Sequence, residues 1–265
     1  MLTFVGLGLY DERSITIEGR DVLQSADRVF AERYTSRLVG ASFEALEDYH
    51  DIDVEVRDRD GVERDPEPIL AAAETQDVVF VTAGDTMIST THVDLRLRAH
   101  DRGIDTRIVH GTTAQTAASS LTGLQNYRFG KATTLPFEYA HGSDGVPDSV
   151  RETIDANADR GLHTLVYLDI KVDGPDRHTD APGEPYMTAT TAAEYLSDPY
   201  PDRLAVVVAR AGSPDPVVAA DSLSALADRT FGDPLHLLVM PGELHHVEAE
   251  ALVSLADAPD SLVGL

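Results

Sequence analysis

The sequence predicts an α/β protein of two α/β domains, with any ligand held in the cleft between them. Three observations lead there. Apolar strands run straight into glycine turns twice in the first half, at MLTFVGLGLY from Met1 and at VVFVTAGDTM from Val78 to Met87. Strand-like and helix-like segments alternate through that half, as in a mostly parallel sheet with right-handed crossovers. After a turn at 123–131 the second half starts an alternation of its own. The expected domains are therefore 1–125 and 126–265.

In chain order, short apolar runs give strands at 2–6, 28–31, 52–56, 78–82 and 106–109. Glycine follows the first and fourth because backbone must approach a ligand closely, or adopt a positive φ, without a Cβ in the way. Helices are expected between them at 15–26, 66–75 and 91–102, and then at 114–121. Pro66 and Pro68 fall in a first turn, where a missing N–H costs little. The second half gives strands at 131–135, 163–170, 204–209, 217–220 and 235–240. Helices at 148–159, 189–196, 222–228 and 245–255 separate them. The polar stretch 173–184, with two prolines and two glycines, reads as a long loop or lid.

Composition narrows the function classes. Of 265 residues, 46 are acidic and 21 basic, a net charge of −25. Aspartate (30) exceeds glutamate (16), and lysine occurs only at Lys131 and Lys171. The acids are dispersed rather than grouped, so the surface suits a salt-rich cytoplasm of the halophilic archaeal type. At molar salt the Debye length is roughly 3 Å, which screens self-repulsion. Binding of nucleic acid through a basic face is disfavoured. Absence of cysteine removes disulfides and thiolate chemistry. No apolar run is long enough to span a bilayer, and the N-terminus shows no basic leader region, so a soluble cytoplasmic protein is expected, with no membrane partner.

Two nucleotide-site readings arise. GLGLY supplies the first two glycines of GxGxxG, but Asp11 stands at the third, and Glu32 could grip a ribose. A tight strand-to-loop turn explains the same glycines. No GxxxxGK[ST] occurs, which disfavours nucleotide triphosphate hydrolysis. His245, His246 and Glu250 could suggest a metal, but their spacing matches no established ligand set and a helix-surface cluster accounts for them; no metal is expected.

The wider pattern is more specific. GLGLYDERSITIEG, FAERYTS at 30–36, TAGDTMISTTH at 82–92, GLHTLVYLDIK at 161–171, VVVARAGS at 206–213 and PGELHHVEAE at 241–250 occur in order across nearly the whole chain. Together they resemble the diphthine synthases, in the tetrapyrrole-methylase-like class of S-adenosylmethionine-dependent methyltransferases. The turn reads GDT here where that family usually has GDP. The resemblance implies two α/β domains with the cofactor in the cleft between them, in a homodimer. It implies methylation, three times, of the amino group of a modified histidine on translation elongation factor 2, with S-adenosylhomocysteine as the second product.

By motif position, the resemblance carries the cofactor contacts to Leu9, Asp85, Ile88, Thr113, Ala114, Leu168, Ala211 and His236. Asp85 could accept from the cofactor's ammonium or ribose, or cap the following turn. Thr113 could donate to a carboxylate at a helix N-terminus, or serve as a simple N-cap. His236 could contact adenine or sit in the core. Glu32, Tyr34, Thr35 and Ser36 follow a strand end and could line the cleft for the protein substrate. Lys171 could pair with the substrate's own carboxylate, whereas Lys131 reads as structural. Desolvation in the cleft would lower the amine's pKa and a nearby carboxylate would raise it, so a strong dedicated base is not mandatory and the sequence does not require one. The alternatives are a methyltransferase of corrin or porphyrin precursors, whose anionic substrates call for basic residues, a Rossmann dehydrogenase, and a nucleotide-binding module without catalysis.

Overall fold

The computed structural model describes residues 1–32, 34, 37–138, 145–170 and 186–265. The chain forms two compact units, Met1–Ala114 and Gln115–Leu265. The sequence-expected division at 125/126 lies one helix later. The packing divides ahead of that helix because its C-terminal end is tied into the second unit. A Cβ on Gly123 would lie 2.6 Å from that of Ala251, and the Gln125 N–H donates to Glu248.

Unit 1 is a five-stranded sheet ordered β3-β2-β4-β1-β5, from β1 (Leu2–Gly6), β2 (Arg28–Glu32), β3 (Val54–Arg57), β4 (Val78–Thr82) and β5 (Thr106–Val109). Every pairing is parallel, as the alternation of elements predicts. The period of two sorts side chains to opposite faces. Leu2, Phe4, Phe30, Val78 and Phe80 pack with Ile69 and Leu70 of α3 (Glu67–Ala73) and Leu95 and Ala99 of α4 (Val93–Asp101). Val5, Val29, Ala31, Val79 and Val81 pack with Leu23 of α1 (Ile17–Gln24) and Leu46 of α2 (Phe43–His50). Helix α2 is an addition to the expected elements. Ser42 caps it by accepting from the Ala45 N–H, and Asp51 ends it in the left-handed region.

Unit 2 opens with α5 (Ala114–Thr122), whose first residue closes unit 1, and has a second five-stranded sheet ordered β6-β7-β10-β8-β9. Its strands are β6 (Thr133–Leu135), β7 (Thr164–Leu168), β8 (Leu204–Ala209), β9 (Val217–Ser222) and β10 (His236–Met240). Only β6 and β7 pair in parallel; the other neighbours are antiparallel. Leu135, Val166, Val207 and Leu238 pack against α6 (Asp148–Ala158), α7 (Ala189–Ser197) and α8 (Leu223–Ala227). Helices α9 (His246–Ala256) and α10 (Asp260–Val263) complete the unit. No described helix is long and apolar enough to cross a membrane.

Candidate functional site

A parallel sheet delivers all its strand ends to one edge, and in unit 1 that edge collects the glycine turns. Gly6 ends β1, Gly84 follows β4 and Gly111 follows β5. An added Cβ on Gly111 would lie 2.1 Å from the Gly84 carbonyl oxygen, and one on Gly6 would lie 2.4 Å from the same atom. Three backbones therefore touch where no side chain fits. Gly8 and Gly84 exchange backbone hydrogen bonds of 3.2 and 2.6 Å, and both have positive φ. A Cβ on Gly84 would meet nothing within 4 Å, so this glycine borders open space.

Asp85 fastens the turn. It is 7 % exposed; Oδ1 accepts from the Met87 N–H at 2.9 Å, and Oδ2 accepts from the His110 ring Nδ1 at 2.8 Å and the Gly111 N–H at 3.2 Å. The carboxylate thus ties the loop after β4 to the loop after β5. Only Oδ1 keeps spare acceptor capacity. Around this edge stand Leu9, Thr113 and Ala114, all half-buried, and Ile88, which is exposed. The five residues assigned to unit 1 are thus gathered by the loops following β1, β4 and β5.

A second group lies where β2 and β4 end. Glu32 is fully buried and its Oε2 accepts from the Tyr34 N–H at 3.1 Å. Tyr34 is half-buried, with Oη 3.4 Å from His92 Nε2. The other ring nitrogen of His92, Nδ1, lies 3.2 Å from the Thr86 carbonyl. Burial pushes His92 below its ordinary pKa, against the charge of Glu32, and pushes Tyr34 up, with Glu32 and Glu63 adding to the shift. Beside them the hydroxyls of Thr82 and Thr86 are buried without a partner among the described residues. Thr82 and His92 were not singled out from the sequence, although the motif at 82–92 begins and ends with them; Thr86 was noted only as standing where the family usually has proline.

In unit 2 the register gathers Leu168, Ala211 and His236. His236 pairs with Ala209 and Leu237 with Tyr167, so His236 opens β10 beside the ends of β7 and β8. Its ring is committed within the protein. Nδ1 accepts the Ala189 N–H at 3.0 Å, and Nε2 donates to the Asp233 carbonyl at 3.0 Å. Burial holds its pKa below the ordinary value.

Lys131 is held through its backbone by Asn157, whose amide spans both the Lys131 N–H and carbonyl at 3.2 and 2.8 Å. Lys171, Thr35, Ser36 and the stretch 173–184 lie outside the described residues. His245 caps α9 in a capping box with Glu248, and His246 pairs with Glu250 at 3.3 Å. Among the described residues no group of three or more suited to a metal ion occurs.

Glu248, also missed from the sequence, is the buried hub of unit 2. Oε1 accepts from the Gln125 N–H and His163 Nε2, and Oε2 from the His245 N–H and Arg128. Its place far from the strand ends of β7 and β8 in sequence, and its full pairing, mark it as structural.

The strand-end surface of unit 1 suits a polar ligand. Gly84 leaves room for close approach, and two buried hydroxyls lack partners there. The family model of Tetrapyrrole (Corrin/Porphyrin) Methylases matches residues 1–227. The diphthine synthase of Halorubrum lacusprofundi is 73 % identical over 263 residues, 99 % of each chain. That of Haloarcula marismortui is 71 % identical over 258 residues, 97 % of this chain and 99 % of the relative. A crystal structure of diphthine synthase superposes with a TM-score of 0.87 at 37 % identity, covering 100 % of this chain and 99 % of the other.

Proposed function

The chain belongs to the tetrapyrrole (corrin/porphyrin) methylase family, among its diphthine synthases, and on that premise we propose that it methylates translation elongation factor 2 in diphthamide biosynthesis. The acceptor is the amino group of the modified histidine, taken through three methylations. The observation that carries this reading is agreement over essentially the whole length of both chains at 73 % identity. Precorrin-type substrates are polyanions, and a chain of charge −25 with two lysines is poorly suited to hold them.

S-adenosylmethionine, when bound, supplies an electrophilic methyl on a sulfonium and leaves as S-adenosylhomocysteine. Leu9, Ile88, Thr113 and Ala114 of unit 1 and Leu168, Ala211 and His236 of unit 2 are the residues assigned to hold it. Asp85 serves chiefly by fixing the two loops that present these groups, with Oδ1 open to one ligand bond. The protein's contribution is alignment of donor and amine and exclusion of water. Glu32 and Tyr34 are assigned to the substrate side, and Lys171 to the substrate's carboxylate. We place the protein in the cytoplasm as a homodimer. Val93 and Leu97, 53 and 56 % exposed and one turn apart on α4, offer an apolar face for such a contact.

The test is mass spectrometry of elongation factor 2 bearing the unmethylated intermediate, incubated at high salt with this protein and S-adenosylmethionine. Stepwise methyl additions ending at three are expected. No mass change, while S-adenosylhomocysteine still binds, would remove the substrate assignment and leave a methyltransferase of another acceptor.

A further inference from the structure

An alkyl ammonium has no lone pair, so each methyl transfer must be preceded by loss of a proton from nitrogen. Unit 1 contains an arrangement suited to take it. The connection leaving β2 runs outward to β3, while the one leaving β4 runs the other way to β5. Adjacent strands whose connections diverge leave a crevice at their carboxyl ends, the place where open α/β sheets bind ligands. Tyr34 comes from the β2 side of that gap, and Thr86 and His92 from the β4 side.

The hydrogen bonds fix the direction of proton flow. A carbonyl only accepts, so the contact of His92 Nδ1 with the Thr86 oxygen requires the proton on Nδ1. Nε2 of the neutral ring is then an acceptor, and the bond between it and Tyr34 is donated by the tyrosine hydroxyl. The lone pairs of Tyr34 Oη are left to accept a hydrogen from outside. Phe80 and Tyr34 flank the imidazole edge-on, at 5.0 and 6.5 Å between ring centroids, which holds its orientation. The charged groups that bear on the pair are Glu32 from β2 and Glu63 and Arg59 from the segment ahead of α3. Burial is the first influence on His92 and holds its pKa below the ordinary value, with Glu32 and Glu63 opposing it, so the imidazolium is a transient carrier that gives its proton up readily. The unpartnered hydroxyls of Thr82 and Thr86 are independent signs that this crevice is shaped for a polar ligand.

We propose, building on the methyltransferase reading above, that Tyr34 is the catalytic residue that takes the proton from the substrate ammonium and that His92 is the positioning residue behind it that stores this proton. The ammonium proton passes to Tyr34 Oη as the tyrosine's own proton passes to His92 Nε2. A neutral amine, an intact tyrosine hydroxyl and an imidazolium result. The nitrogen lone pair would then form the new bond to carbon as the carbon–sulfur bond breaks, that electron pair leaving with the neutral thioether, and the imidazolium returns its proton to water before the next round. Tyr34 is well suited to relay rather than ionise, because burial and the neighbouring carboxylates keep its hydroxyl protonated.

The test uses the full-length protein with elongation factor 2 as acceptor, in single-turnover runs across pH 6 to 9.5 at high salt. Tyr34→Phe keeps the ring and removes the relay. His92→Asn keeps a donor toward Thr86 and removes the acceptor. Both should lose about 100-fold in rate near neutral pH, the lower range for general-base catalysis, with KM little changed. The deficit should shrink as pH rises toward the amine's own pKa, where no acceptor is needed. A deficit equal at every pH, or no deficit, overturns the proposal while wild-type transfer upholds the functional reading. A wild-type protein that transfers no methyl to the factor overturns both. A measurement without turnover stands beside these: nitrogen NMR of His92 in the protein alone should show the Nδ1–H tautomer, with Nε2 shifted by Tyr34→Phe. The Nε2–H tautomer overturns the relay.

Discussion

Replacing Glu248 by glutamine removes a charge and one acceptor oxygen from a site closed to water. The four bonds divide evenly: Oε1 serves Gln125 and His163 at 2.8 and 3.1 Å, and Oε2 serves His245 and Arg128 at 2.8 and 3.2 Å. Whichever oxygen becomes the amide nitrogen, two donors then face a donor. Each buried donor left unmade costs about 1–3 kcal/mol. The pair with Arg128 is lost too, and breaking a buried ion pair costs about 3–5 kcal/mol in all. A loss of about 4 kcal/mol is therefore expected, or a Tm drop of roughly 8–16 °C at about 2–4 °C per kcal/mol. Circular-dichroism melts and denaturant titrations at molar salt measure it. Glu250→Gln on the same helix is the control. That side chain is 57 % exposed and, among the described residues, pairs with His246, so its change should stay within about 0.5 kcal/mol. A Glu248→Gln loss below about 1 kcal/mol would refute the claim that this carboxylate holds unit 2 together.

The glycines at the edge of unit 1 should separate by their surroundings. Gly84→Ala meets open space and should cost only the left-handed backbone penalty, about 1–2 kcal/mol, whereas Gly111→Ala drives a Cβ into the Gly84 carbonyl and should cost more in parallel melts; equal losses would refute the packing argument. Asp85→Ala frees the loops after β4 and β5 from each other and should weaken S-adenosylhomocysteine binding about tenfold or more by calorimetry; unchanged affinity would show that the tie is dispensable. Stability should depend on pH in one sense. His92, His163 and His236 are held below their ordinary 6.5, burial being the first cause in each, so the unfolded chain binds more protons below that pH. Their contribution is complete above pH 6.5 and is lost as pH falls through the folded values. Glu248 acts in the same sense at lower pH. Burial alone would raise its carboxyl, but the Gln125 and His245 N–H groups and the His163 ring hold it below the usual range. Melts that gain stability between pH 7 and 5 would contradict this.

The strands were readable from the sequence because short β-branched runs ending at glycine have few other uses, and four of the ten strands keep the expected residues at both ends. Leu9, Ile88, Thr113 and Ala114 were assigned by motif position through the resemblance alone; the strand order that brings their loops to one edge is not written in the sequence. Asp85 shows the limit. Its type and position fit a ligand contact and a turn clasp equally, and only distance reveals that His110 and Gly111, 25 and 26 residues on, take Oδ2. His92 and Tyr34 are 58 residues apart, and no local pattern records that their side chains meet. Glu248 hid beside the exposed His246–Glu250 pair, because helical periodicity does not say which of two nearby acids turns inward.

Asp169, just past β7, has a consequence for how this chain can vary. Its Oδ2 accepts the Phe137 N–H at 3.0 Å, its own N–H donates to Leu135, and its carbonyl accepts the Met187 N–H at 2.9 Å. The departing end of the stretch after Phe137 and the returning end of the stretch before Met187 are thus sewn to one residue at the sheet margin. The entropy of closing a loop grows only with the logarithm of its length, so residues added between such fixed ends change little in the rest of the unit. Insertions and deletions among relatives should therefore accumulate in these two stretches, with Asp169 as the seam that lets length drift while the sheet keeps its register.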